Sequence, residues 1–197
     1  MHHPPDTLHA RKRRKARATI VSSAFQLFSE HGFDNVTVTA IAERAEVGRT
    51  TFFRYFGDKQ QVLFADDGAE VDRMCAHVRE KAPRPLGGNL SACVEVLRDA
   101  QETASAQPSL TPAHSAILAR LLCESNELRS RYLLTRQQRS VNLASALTEA
   151  GAEESVAVLA AYLTMACELS AMRLSRTPEA YPERLDEAHR ILEGLNG

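Results

Sequence analysis

The stretch TVTAIAERAEVGRTTFFRYFGDK, from Thr37 to Lys59, constrains the fold of this chain more than any other. Val38, Ile41, Ala42 and Ala45 recur at helical spacing while Thr39, Glu43 and Arg44 take the opposite side, so one face packs and the other meets water. Thr37 places a side-chain oxygen at the helix start, where unpaired backbone N–H groups need an acceptor. Glu46, Val47 and Gly48 interrupt the pattern, with Val47 expected as the buried plug of a turn and Gly48 as the cap of a second helix from Arg49 to about Tyr55. Phe52 and Phe56, four residues apart, dock on the first helix and leave Arg49, Thr50, Phe53 and Arg54 outward. Such a pair of helices suits a DNA major groove, where Arg bridges two acceptors on guanine and Thr meets a thymine methyl.

The charge distribution points the same way. Residues 1–59 hold ten Lys and Arg against six Asp and Glu, whereas residues 60–197 hold fourteen against nineteen, within a net charge of −1. Arg11, Lys12, Arg13, Arg14, Lys15 and Arg17 cluster just before the first helix of the motif. Standing alone, such a run reads as a solvated charge tract. Beside a helix-turn-helix it reads as an arm that follows phosphates or enters a minor groove.

Beyond Lys59 the periodicity stays helical and no strand alternation appears. Asp58 caps an expected long helix through about Lys81, and the Pro- and Gly-rich segment 82–88 ends it. Further helices are expected at about Leu90 to Ser105, Ala113 to Cys123, Asn126 to Ala150 (stopped by Gly151), Glu153 to Arg176, and Pro178 to Leu195. Leu159, Ala160, Leu163, Ala166, Cys167 and Ser170 form a stripe rich in small residues that lets another helix approach closely. Either the chain's own core or a second copy can cover it, and both are expected, one on each side.

Chemistry-bearing constellations are sparse. There is no G-x-S-x-G, no phosphate-cradling Gly loop, no H-E-x-x-H and no dinucleotide fingerprint, and His77, His114 and His189 are far apart in the chain. No catalytic residue, metal or cofactor is expected. Cys75, Cys93, Cys123 and Cys167 lack C-x-x-C spacing and read as buried thiols of a reducing cytoplasm, with a redox-sensing pair as the alternative. No apolar run of membrane-spanning length and no signal core stands out, so no membrane partner is expected.

The segment from Ile20 to Leu63, including AFQLFSEHGFDNVTVTAIAERAEVGRTTFFRYFGDKQQVL, resembles the N-terminal DNA-binding domain of TetR-type transcriptional regulators. Ala24, Phe28, Gly32, Phe33, Thr37, Val38, Ile41, Ala42, Ala45, Val47, Thr51, Arg54, Tyr55, Phe56 and Lys59 stand where that family's pattern has them. Three positions depart from it. Glu46 replaces the usual turn Gly, Gly48 the usual Ser or Thr cap, and Phe53 a Tyr that meets phosphate, which shifts the expected phosphate grip toward Thr39, Tyr55 and Lys59.

The resemblance implies an all-α fold, with an N-terminal three-helix helix-turn-helix domain and a C-terminal helical ligand-binding and dimerisation domain. The expected bounds are a basic arm over 1–17, the DNA-binding domain over 18–64, and the effector and dimerisation domain over 65–197. DNA contacts are expected from Arg14, Thr37, Thr39, Arg49, Thr50, Thr51, Phe53, Arg54, Tyr55 and Lys59. The expected effector pocket draws on the apolar Met74, Leu97, Ile117, Leu121, Tyr132, Tyr162, Met165 and Met172, with His114, Arg139, Asn142 and Glu168 as polar anchors. Sparse anchors in an apolar cavity suit a hydrophobic or amphipathic small molecule. The functional expectation is a cytoplasmic homodimeric repressor, released from a palindromic double-stranded DNA operator by that molecule. The alternatives are an architectural DNA binder without an effector, and an enzyme localised by its basic N-terminus.

Overall fold

The computed structural model describes residues 8–65, 67–106, 110–175 and 177–194. Among these residues the regular structure is helical apart from an isolated parallel bridge between Gly87 and Ala152. The ten α-helices are α1 (Leu8–His31), α2 (Val38–Arg44), α3 (Arg49–Tyr55), α4 (Lys59–Leu63), α5 (Asp67–Lys81), α6 (Leu90–Ser105), α7 (Pro112–Glu124), α8 (Asn126–Glu149), α9 (Glu154–Leu174) and α10 (Tyr181–Gly194), the last preceded by a 3-10 turn at Pro178–Ala180. The all-helical expectation holds. The chain divides into two compact units, one of Met1–Ala65 with Ile117–Leu128, the other of Asp66–Ala116 with Arg129–Gly197.

In the first unit α1 offers Ile20, Val21, Ala24, Phe25 and Phe28, one helical face, to Ile41, Ala42, Phe52, Phe56, Val62 and Leu63. All of these side chains are buried, and Phe25 meets Phe28 edge-on at 6.3 Å between ring centroids. Gly32 ends α1 with φ 77°, a left-handed conformation that glycine adopts without steric cost, and its N–H donates to the Phe28 carbonyl.

The basic cluster differs from expectation. Helix α1 starts at Leu8, so Arg11 to Arg17 stand on the helix itself rather than on an arm before it; the part of the expected arm at 1–7 lies outside the described residues. Arg17 turns inward. Its guanidinium donates to the Ala65 carbonyl and lies 5.2 Å over the Phe56 ring.

The long helix expected from Asp58 to Lys81 is two helices. Asp58 does cap α4, accepting from Gln61 N–H at 2.7 Å, but α4 ends after five residues and α5 begins at Asp67. Phe64 leaves the helical region (φ −109°, ψ 24°), and Val62, Leu63 and Ala65 are buried around the break, so packing against α1 outweighs continuation.

The second unit packs α5, α6, α9 and α10 around a core that includes Met74, Val78, Cys93, Leu97, Leu143, Leu147, Ala157 and Ala160. The stretch 82–88 is the expected break, and its Gly87 N–H donates to the Gly151 carbonyl at 2.9 Å while Glu153 N–H donates to the Gly87 carbonyl at 2.9 Å. Gly151 terminates α8 with φ 93°, which an L side chain rarely adopts. Helix α9, 21 residues with a mean hydropathy of 1.6 over its most apolar window, is long and apolar enough to cross a membrane by length and composition, contrary to the sequence expectation. Its buried Ala157, Ala160, Ala161, Thr164, Cys167, Glu168 and Ala171 are those of a helix packed inside a protein. Cys75, Cys93 and Cys167 are buried and burial pushes their thiols up, whereas Cys123 is exposed, a departure from the reading of four buried thiols.

Candidate functional site

Two short helices and a strained turn build the outward face of the first unit. The Thr37 hydroxyl oxygen accepts from Ala40 N–H at 3.1 Å and so caps α2, leaving its own proton for an external acceptor. The turn then needs a left-handed residue, and Glu46 supplies it at φ 53°. A non-glycine side chain there costs about 1 kcal/mol. Val47 is half-buried rather than the fully buried plug expected. Gly48 caps α3 through its backbone alone.

Helix α3 separates its two faces sharply. Phe52 is fully buried and Phe56 is 2% exposed, with rings 5.7 Å apart. Arg49, Thr50, Phe53 and Arg54 are exposed, Thr51 and Tyr55 half-buried, and the Arg54 guanidinium lies 5.2 Å over the Tyr55 ring. Phe53 is 47% exposed, a large apolar ring left in water with its centroid 5.5 Å from that of Phe52. On α1, Arg14 is exposed; on α2, Thr39 is half-buried. These residues share one unit with the helix-turn-helix.

Lys59 is different. Its Nζ donates to the carbonyls of Phe33 at 2.8 Å and Val36 at 3.0 Å, approaches that of Asp34 at 3.3 Å, and lies 4.4 Å from the Phe33 ring centroid. The ammonium has three N–H donors, and carbonyls of the α1–α2 loop take them. Sequence reasoning also missed Arg17 and the bidentate Arg44–Glu30 pair, at 3.1 and 2.8 Å. Nothing in helical spacing signals partners fourteen residues or more apart.

The expected effector-binding residues are divided between the two units. Ile117 and Leu121 belong to the first unit. In the second, Leu97 is core between α5, α6 and α9, and Asn142 is exposed and accepts from Gln138 at 3.1 Å. Tyr162, Met165 and Met172 lie half-buried along one flank of α9, and His114 is half-buried with its backbone N–H donating to Thr111 Oγ1 at 3.2 Å. The separation follows from helix geometry, since residues three or four apart share a face whereas the sequence carries no register between helices.

Three of the expected residues do meet. Arg139, 5% exposed, reaches Glu168 of α9 at 2.8 Å and donates to Met74 Sδ of α5 at 2.9 Å. Around them stand Glu70, 3.3 Å from Arg139, and Arg136, 3.6 Å from Glu168 and 4.8 Å over the Tyr132 ring. Burial holds the Tyr181 hydroxyl well above the ordinary tyrosine range, with Glu168 the next cause. Glu70, Arg136 and Tyr181 were not foreseen; the spacing of Tyr132, Arg136 and Arg139 on one helical face was the available signal. Among the described residues no three His, Cys, Asp or Glu side chains converge as a metal site would require.

Comparison with known proteins places these features. Residues 20–65 match the family model described as bacterial regulatory proteins, tetR family. The HTH-type transcriptional regulator TcmR of Streptomyces glaucescens is 30% identical over 135 residues, 63% of this chain and 60% of that protein. The HTH-type transcriptional regulator HbdR of Aromatoleum sp. (strain CIB) is 44% identical over 48 residues, 24% of this chain and 21% of its own. The matched part thus spans less than two thirds of either relative. A crystal structure of a TetR-family transcriptional regulator from Streptomyces coelicolor aligns over 91% of this chain and 96% of that one, with a TM-score of 0.51 and 20% identity, a likeness of fold.

Proposed function

Because this chain belongs to the TetR family of transcriptional regulators, we propose that it is a homodimeric, sequence-specific DNA-binding repressor, released from a palindromic operator by a small hydrophobic or amphipathic molecule. The observation that carries the DNA reading is the division of α3, with Phe52 and Phe56 buried and Arg49, Thr50, Phe53 and Arg54 exposed. A helix so anchored presents its N-terminal cation and hydroxyl to base edges, while Arg14, Thr37, Thr39, Thr51 and Tyr55 supply phosphate contacts. The cations that extend along α1 add salt-sensitive affinity.

Dimerisation is supported by the apolar groups that α9 and α10 leave in water. Val158 and Leu159 are 43% and 49% exposed, and Leu174 and Ile191 61% and 63%. Two copies related by a two-fold axis would cover these faces and would match a palindrome. Effector response is then a coupling of about 1–3 kcal/mol, in which the ligand binds better to the state that fits the operator less well. This mechanism needs no covalent step, and among the described residues no group of three His, Cys, Asp or Glu side chains gathers to favour the enzyme alternative.

The test is selection of bound duplexes from random oligonucleotides. An enriched inverted repeat supports the regulator; uniform recovery favours an architectural DNA binder. Arg49→Ala or Thr50→Ala should weaken binding to the selected site by about 1–3 kcal/mol and leave random duplexes nearly unaffected.

A further inference from the structure

Helix α3 leaves in water one aromatic ring that has no hydrogen bond to offer a phosphate or a base. Phe53 is 47% exposed, and among the described residues it is the one large apolar side chain that the first unit exposes; the others lie on α8, α9 and α10 in the second unit. It follows Thr50 by three residues and Arg49 by four, so the three share a face of the helix. The ring is held from beneath. It meets Phe52 at 5.5 Å between centroids with the planes at 86°, and the fully buried Phe52 meets Phe56 at 5.7 Å. Edge-to-face packing of this kind gives a ring a preferred position. The other exposed side chains of α3 are Arg49, Thr50 and Arg54, and α1 exposes Arg11, Lys12, Arg13, Arg14 and Lys15 in the same unit. Charge of that sign selects a nucleic acid over an apolar protein surface as the partner that covers Phe53.

We propose that Phe53 reads the C5 methyl group of a thymine in each half of the operator and makes that position specific for thymine. The proposal rests on the regulator reading above and deepens it by assigning one specificity-determining side chain. In the major groove thymine alone among the four bases presents an apolar group, a methyl that a phenyl ring can meet. Cytosine has only a hydrogen on the same carbon. Both purines present the N7 acceptor, which a ring without a donor would strip of water and leave unserved. Covering the methyl removes apolar surface from water, worth about fourfold in affinity for one carbon. A phenyl ring neutralises no phosphate, so this discrimination should not change with salt. Thr50 carries a methyl on the same face, and the two side chains are separated by substituting each in turn.

The experiment takes the operator selected from random duplexes and replaces its thymines one at a time by deoxyuridine, which keeps every hydrogen-bonding group and lacks only the methyl. Affinity of the full chain is measured by fluorescence anisotropy at about 50 and 200 mM salt. One thymine in each half-site should lose about fourfold on replacement, by the same factor at both salt concentrations. In Phe53→Ala that thymine and deoxyuridine should be bound alike, whereas in Thr50→Ala the ratio at the same position should remain. Phe53→Gln, polar and a good helix former, should lose the ratio too and serves where the alanine variant does not fold. 5-Methylcytosine at that position should be bound more tightly than cytosine by the unmodified protein and equally by Phe53→Ala. A selected operator without any methyl-sensitive thymine overturns the assignment and leaves the regulator reading intact. A ratio that persists in both Phe53 variants, or vanishes in Thr50→Ala, overturns it in favour of another side chain. Uniform recovery of random duplexes overturns the regulator reading and the assignment with it.

Discussion

At the scale of single residues, the helix-turn-helix carries two compromises. Glu46 holds the turn at φ 53°. Glu46→Gly removes the left-handed penalty, partly offset by the backbone entropy of glycine, so the variant should gain up to about 1 kcal/mol, read as a higher urea midpoint. It should also bind all duplexes more tightly, since an exposed carboxylate beside the reading helix is lost. Lys59 is spent on carbonyls of the α1–α2 loop. Lys59→Met keeps the stem and removes the charge, and should cost about 1–3 kcal/mol of stability with the salt dependence of DNA binding unchanged. A salt slope reduced by about one with stability intact would return Lys59 to the phosphate-contacting set.

At the scale of elements, the contact between α6 and α10 carries a buried titratable ring. His189 is 2% exposed and neither ring nitrogen has a hydrogen-bond partner, while Arg98 of α6 reaches Glu193 at 2.8 Å and Asp186 at 3.7 Å on either side of it along α10. Burial, and next the Arg98 charge, hold His189 below the ordinary histidine range, against the opposing pull of Glu168, Glu193 and Asp186. Unfolding returns the ring to water, where it takes up a proton near pH 6.5. The unfolded state therefore binds more protons on acidification, so this contribution to stability is complete above about pH 6.5 and falls as the pH drops toward the folded-state value. Melting temperatures across that range should drop more steeply for the unmodified protein than for His189→Leu, and parallel curves would remove His189 as the cause. Helix α1 teaches a related lesson: its cations lie on a helix whose next turns are core, so their spacing on DNA is tied to the packing of Ile20, Ala24 and Phe28.

At the scale of the whole molecule, the exposed faces of α9 and α10 connect assembly to DNA binding. Leu159→Arg should leave the protein monomeric in sedimentation at micromolar concentration, because pairing would bury an unpaired charge. Its affinity for the two-half-site operator should fall to near that of a single half-site, with helical content retained. Ala166→Arg, on the same exposed side of α9, should act alike. A dimeric Leu159→Arg with full operator affinity would place the interface elsewhere.

Much of the architecture was legible in the residues. Thr37 and Asp58 mark helix starts because a side-chain oxygen can satisfy orphan N–H groups within three residues, and each does so here. Phe52 and Phe56, the turn at Glu46 and the stop at Gly151 are equally local, decided by helical period and by which φ a residue tolerates. The break between α4 and α5 was not legible, since Asp58 to Lys81 has a continuous helical pattern and only burial of Leu63 and Ala65 ends the first piece. Nor was the use of Arg17 and Lys59 for the fold, or the meeting of Met74, Arg139 and Glu168 from three helices. Sequence by itself determined the elements and the face each one buries, because capping and periodicity act over a few residues. Only the tertiary structure decided which cations are left for DNA and which polar groups are trapped together, because those outcomes depend on distances between helices that no local pattern encodes.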